Sequence, residues 1–161
     1  MIFKSNQGTG DHLKNELNSK TMKPYASGTL TGVVSNTPKI TKGGHVFFTI
    51  NSKNTEFWCA VYKETGMLTT ASNLIIGDEI SVGGGVRKAS KNFPRIINLE
   101  FIKILSLKKN LSKTNPICKK CDKKMKSKGR NQGFQCIKCG AKNLQKTSVE
   151  IPRKIKKQLY I

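Results

Sequence analysis

The chain has 161 residues, 36% of them hydrophobic, with 30 Lys and Arg against 9 Asp and Glu, a formal net charge of +21. A mean hydropathy of −0.43 and the lack of any apolar run near the ~20 residues of a spanning helix speak against a helical membrane protein. Met1-Ile-Phe-Lys-Ser-Asn-Gln7 lacks the apolar stretch of a signal peptide, so a cytoplasmic protein is expected. The charge is uneven: residues 106–161 hold 17 bases and 2 acids, whereas residues 1–105 hold 13 and 7. A polyanion, whose condensed counterions are released as its phosphates are neutralised, is the expected partner.

Residues 1–24 read as a lead-in. Asp11 can cap a short helix running to Leu17, with Leu13 and Leu17 on one face at i, i+4. Residues 25–107 alternate with the period of strands. Five are expected: Ser27–Ser35, His45–Asn51, Thr55–Tyr62, Glu79–Gly83 continuing past a Gly83–Gly85 bend to Lys88, and Arg95–Leu107. Asn36–Gly44 and Ala89–Pro94 read as loops, Asn51–Asn54 as a hairpin turn, and Thr65–Leu74 as a break that holds a short helix. Propensity alone leaves a sandwich, an SH3-like barrel and an OB-fold open. The helical insert between the third and fourth strands selects the OB-fold. Residues 108–116 read as a linker, 117–145 as a ribbon and 146–161 as an exposed basic tail that Leu159, Tyr160 and Ile161 can anchor. The fold class is therefore mainly β, a five-stranded OB-fold barrel followed by a small four-cysteine zinc ribbon.

The ribbon rests on Cys118-Lys-Lys-Cys121 and Cys136-Ile-Lys-Cys139, separated by 14 residues. Two residues between cysteines let both thiolates turn onto one ion, and four sulfurs close the tetrahedral shell of a structural Zn²⁺. The intervening stretch, Asp122 to Gln135, carries almost no apolar residue and is expected to build no core, so the metal must drive its folding. Gly140, just past the last cysteine, suits a turn at positive φ. Disulfides or a redox dithiol are the competing reading, disfavoured in a lysine-rich cytosolic chain. Cys59, in an apolar stretch, reads as a buried, inert thiol.

Little in the sequence serves catalysis. His12 and His45 stand alone, Gly83–Gly85 lacks the Lys-Ser/Thr of a phosphate loop, and Asp78 reads as a turn residue beside Glu79. Binding is better supplied. If Val46, Phe48 and Ile50 face the core, Phe47 faces out; Trp58 and Tyr62 share a phase on the next strand, with Trp58 left open between core and surface. Lys39 and Lys42 in the first loop, and Arg87, Lys88, Lys91 and Arg95 around the last, flank the binding groove of an OB-fold and would track phosphates; Lys124 would do so from the ribbon.

The order Asn6-Gln-Gly-Thr-Gly-Asp-His12, Cys59-Ala-Val-Tyr-Lys-Glu-Thr65, Gly77-Asp78, Asn98-Leu-Glu100, the four cysteines and Ile151-Pro-Arg-Lys154 resembles the C-terminal half of archaeal tRNA(Ile) 2-agmatinylcytidine synthetase. That family joins agmatine to the wobble cytidine of an isoleucine tRNA with ATP. The resemblance implies a tRNA-binding module whose catalytic domain is upstream or on a separate chain, so that ATP and agmatine concern this chain only through that domain. Physics alone leaves a single-stranded DNA-binding protein of replication or repair as the alternative, and a protein-interaction module as a third.

Overall fold

The computed structural model describes residues 10–91 and 93–161; the Asn6–Thr9 part of the first motif lies outside them. Two compact units form. One comprises the chain up to Lys108 together with Lys154–Ile161, the other Lys109–Arg153.

The first unit is a closed barrel. β1 (Ser27–Val34), β2 (Lys39–Ile40), β3 (Val46–Ser52), β4 (Thr55–Val61), β5 (Glu79–Arg87) and β6 (Ile96–Ser106) follow in sequence, with α1 (Leu68–Ser72) between β4 and β5. The sheet order is β1-β5-β6-β4-β3-β2, and β1 also pairs with β3, closing five strands on themselves. Among the described strands only β4 and β6 pair in parallel. This is the OB-fold arrangement, with the helical insert where the sequence placed it. The short β2 lies inside the expected first loop, paired with β3.

Alternation fixes the core. Val46, Phe48, Ile50, Phe57, Cys59 and Val61 all enter it. Lys53 and Asn54, both at positive φ, make the tight turn between β3 and β4. The Gly83–Gly85 run, expected as a bend, lies inside a continuous strand. β5 passes through it with a register shift between Gly83 and Gly84, because a side chain on Gly84 would strike the Asn98 carbonyl of β6. Asp78 is fully buried below the β5 entry; its Oδ2 accepts the Ile75 N–H (2.8 Å) and its Oδ1 the Lys108 N–H (2.9 Å). It is a turn residue, as its position implied.

In this unit one further expectation changes and one is met. Asp11–Leu13 is a single 3-10 turn entered through Gly10, in place of an α-helix to Leu17. The Leu17 N–H bonds to the Thr29 carbonyl, and Leu17 and Met22 are buried in the barrel core, so burial against β1 overrides the weak i, i+4 signal. At the end of the chain the expected anchor forms as a strand: β12 (Leu159–Tyr160) pairs with β6, and Ile155 joins the core.

The second unit holds β7 (Leu111–Thr114), β8 (Lys126–Ser127), β9 (Phe134–Gln135), β10 (Lys142–Asn143) and β11 (Thr147–Glu150). β8, β9 and β10 form a three-stranded ribbon. β7 and β11 pair antiparallel over four residues each, so Leu111–Thr114 of the expected linker and Thr147–Glu150 of the expected tail are strands of this unit.

Candidate nucleic-acid interface and metal centre

Both cysteine pairs are built alike. The Asp122 N–H returns to the Cys118 carbonyl (2.8 Å) and the Gly140 N–H to the Cys136 carbonyl (2.9 Å). Asp122 and Gly140 occupy equivalent places after each pair, both at positive φ (51° and 74°). Glycine suits such a turn, and aspartate tolerates it better than most residues. The four sulfurs lie within 4.8 Å of one another, and Cys118 Sγ is 3.4 Å from Cys139 Sγ. Sulfurs bound tetrahedrally at the usual Zn–S length stand about 3.8 Å apart, so the cluster fits a structural Zn²⁺ with no ligand position left open. Met125 and Phe134 pack on Cys118 and Cys136, a small apolar base that the stretch between the pairs does supply. Without metal, the Cys139 backbone N–H foremost pulls the Cys136 thiol down to about 7, whereas a hydrogen bond with the Cys139 side chain foremost pushes Cys121 up to about 12. The same backbone N–H groups would hold a metal-bound thiolate. Cys59, fully buried, is pushed upward by desolvation and stays an inert thiol.

On the barrel, the ladder registers decide which side chains share the outer face. Phe47 pairs with Ala60, and Ala60 with Asn98; Thr49 pairs with Trp58, and Trp58 with Ile96. None of these six belongs to the core cluster. Trp58 is therefore an outer-face residue, half-buried beside Thr55, Pro94 and Arg95. Phe47 is half-buried and stacks on Phe93, with ring centroids 5.8 Å apart and 15° between planes. Phe93 comes from the loop before β6; a single aromatic in a polar loop gave no periodic signal. Tyr62 meets His45 edge-on at 4.9 Å. His45 Nδ1 accepts the Lys63 N–H (3.2 Å), so this histidine braces the tyrosine.

Some of the expected cations lie beside these rings: Arg95 by Trp58, and Arg87 and Lys88 by Tyr62. Lys39 is the ladder partner of Phe47, and Lys39, Lys42, Arg87, Lys88 and Lys91 are all exposed. Arg95 gives one guanidinium N–H to the Met22 carbonyl (2.8 Å) and so is held in place with donors to spare. Lys124 lies exposed on the second unit. Aromatic faces interleaved with exposed cations can stack bases while neutralising phosphates. Among the described residues no helix is long and apolar enough to cross a membrane.

Fold and centre together define an OB-fold barrel combined with a four-cysteine ribbon. Comparison with known proteins narrows this. Residues 115–155 match the family model of the TiaS C-terminal zinc ribbon domain. The tRNA(Ile2) 2-agmatinylcytidine synthetase TiaS of Cenarchaeum symbiosum is 47% identical over 161 residues, covering 100% of this chain and 36% of that protein. The Archaeoglobus fulgidus protein of the same name is 35% identical over 99% of this chain and 37% of its own length. The crystal structure of apo TiaS (TM-score 0.70, 33% identity) covers 90% of this chain and 34% of that one. The TiaS-tRNA(Ile2)-ATP complex (TM-score 0.71, 32% identity) covers 90% and 33%. Asparaginyl-tRNA synthetase from Pyrococcus horikoshii, at TM-score 0.51 and 17% identity over 59% of this chain, shares the fold alone. The chain thus matches the C-terminal OB-fold and zinc-ribbon region of archaeal agmatinylcytidine synthetases, and it spans about a third of the length of the curated relatives it matches (36% of the first).

Proposed function

We propose that this chain is the tRNA-holding module of an agmatinylcytidine synthetase-type enzyme. The match along the whole chain to one region of TiaS carries this reading. The outer-face rings of Phe47, Trp58 and Tyr62 would stack unpaired bases. Lys39, Lys42, Arg87, Lys88, Lys91, Arg95 and Lys124 would hold the backbone, and the four-cysteine centre would keep the basic ribbon folded. Transfer of agmatine with ATP belongs, on this reading, to a catalytic domain outside the segment, and the protein works in the cytoplasm, where its thiols stay reduced for metal.

Competition binding at fixed ionic strength tests the proposal. The zinc-loaded chain is expected to bind tRNA in preference to single-stranded DNA of equal length, and by itself to neither hydrolyse ATP nor incorporate agmatine. Stronger binding to DNA would replace the reading with a replication or repair role. No affinity for nucleic acid at low salt would leave a protein-interaction module.

A further inference from the structure

The four sulfurs of the metal centre are chemically alike but not equally reachable. Cys118 and Cys136 are buried, at 1% and 2% exposure, Cys121 is half-buried and Cys139 is exposed. Met125 and Phe134 pack on the two buried ones. Cys136 has a second shield, since the backbone N–H groups of Cys139 and Lys138 both donate to its sulfur; bonds that stabilise a thiolate also lower its nucleophilicity. The chain beside Cys139 is open. Gly140 follows it, and a Cβ there would meet nothing closer than the Gln135 amide nitrogen at 3.8 Å. Lys119, Lys120, Lys123, Lys124 and Lys138 stand exposed on the two knuckles against a single acid, Asp122, a field that favours the thiolate. Across the knuckles, Cys139 Sγ lies 3.4 Å from Cys118 Sγ. Thiolate character and exposure together decide which cysteine an oxidant reaches.

We infer that Cys139 is an oxidation site of this protein: a hydroperoxide is reduced there, a disulfide forms between Cys139 and Cys118, and the centre gives up its metal. The Cys139 thiolate attacks the O–O bond and takes one oxygen as a sulfenic acid; the other oxygen leaves as hydroxide or alkoxide and gains a proton from water. The Cys118 thiolate then attacks the Cys139 sulfur and expels the first oxygen as hydroxide. The two sulfurs supply the two electrons that the peroxide takes up. With two ligands gone, the remaining pair of thiolates cannot close the shell of a structural Zn²⁺. A thiol reductant that opens the bridge restores all four. The oxidation step rests on the metal centre alone. Its consequence, a ribbon that lets go of RNA when oxidised, rests on the reading above.

The zinc-loaded full chain is treated with limiting N-ethylmaleimide and, separately, with hydrogen peroxide. A chromogenic chelator reads zinc release, and mass spectrometry of peptides maps the sulfurs. The maleimide is expected on Cys139 first, with the buried Cys59 untouched. Peroxide is expected to release the bound zinc and leave a Cys118–Cys139 bridge, both reversed by dithiothreitol and added zinc. Because Cys139→Ser risks an unfolded ribbon, Cys139→His is the variant of choice. It keeps four ligands of the Cys₃His type, and is expected to retain zinc at a peroxide concentration that empties the parent. Even labelling of the four cysteines, bridges confined to Cys118–Cys121 and Cys136–Cys139, or zinc loss from Cys139→His as fast as from the parent overturns the site. A bridged, zinc-free chain that still binds tRNA as the parent does leaves the oxidation site standing and removes the ribbon from the RNA-binding reading.

Discussion

Phe47 and Lys39 face each other across one ladder position, so a pair of single substitutions separates stacking from charge at one spot on the surface. Phe47→Ala removes a ring that a base would cover. The expected loss is about 1–3 kcal/mol of binding, the usual value of one base–aromatic stack, or roughly 5- to 150-fold in Kd. No counterion is released at a ring, so the slope of log K against log salt should not move. The same substitution breaks the Phe47–Phe93 stack, costing the fold about 0.5–1.5 kcal/mol, and thermal unfolding must be recorded beside binding. Lys39→Ala should leave stability unchanged, weaken binding more gently and flatten the slope by about 0.7 per lost phosphate contact on a single strand. Titration of a tRNA fragment at four salt concentrations reads both quantities. Equal salt slopes for the parent and Lys39→Ala, together with full affinity in Phe47→Ala, would refute the assignment of this face and leave the ribbon as the main contact.

Asp78→Ala strips two backbone N–H groups of their buried acceptor, and about 3–5 kcal/mol of barrel stability should be lost; a melting temperature within a degree of the parent would show that water replaces the carboxylate. Cys136→Ser should abolish tight zinc binding and unfold the ribbon while the barrel keeps a cooperative transition, and metal analysis finding no zinc in the parent would end that argument. Zinc loading should release fewer protons at pH 8 than at pH 6. Cys136, lowered to about 7, is already a thiolate above that pH and must give up its proton below it. Equal release at the two pH values, followed with an indicator dye, would show that the Cys139 backbone N–H does not act as described.

The metal centre was legible because its signal is local: four cysteines at fixed spacing, with a glycine where the turn needs one. The barrel was legible where alternation is strict, as in Val46, Phe48 and Ile50 against Phe47. Trp58 could not be placed from its own strand, because one slip of phase reverses every side chain; its ladder partners Thr49 and Ile96 decided it. What stayed hidden depends on distant pairing. Nothing in Leu111–Thr114 announces Thr147–Glu150 as its partner, and nothing in Leu159–Tyr160 announces Ile102 and Lys103. Gly83–Gly85 reads as a bend from its composition alone; that Gly84 also admits the close approach of β6 depends on the pairing. Tyr25 and Phe93 are lone aromatics in loops, where periodicity has nothing to say.

The return of the chain to the barrel after the ribbon gives the metal a second role, through chain statistics. Lys109–Arg153 is an excursion between two parts of one folding unit. While β7 and β11 are zipped together, the ends of that excursion are already close, and β12 and Ile155 can dock at little cost in freedom. If zinc is withdrawn and the excursion melts, closing a flexible loop of its 45 residues costs about 3 kcal/mol plus a constant. That cost falls on the weakest attachment, the two-residue β12. Zinc would then set how firmly the last strand of the barrel is fastened without touching it, and hydrogen exchange at Tyr160 would register the metal bound by cysteines more than twenty residues earlier in the sequence.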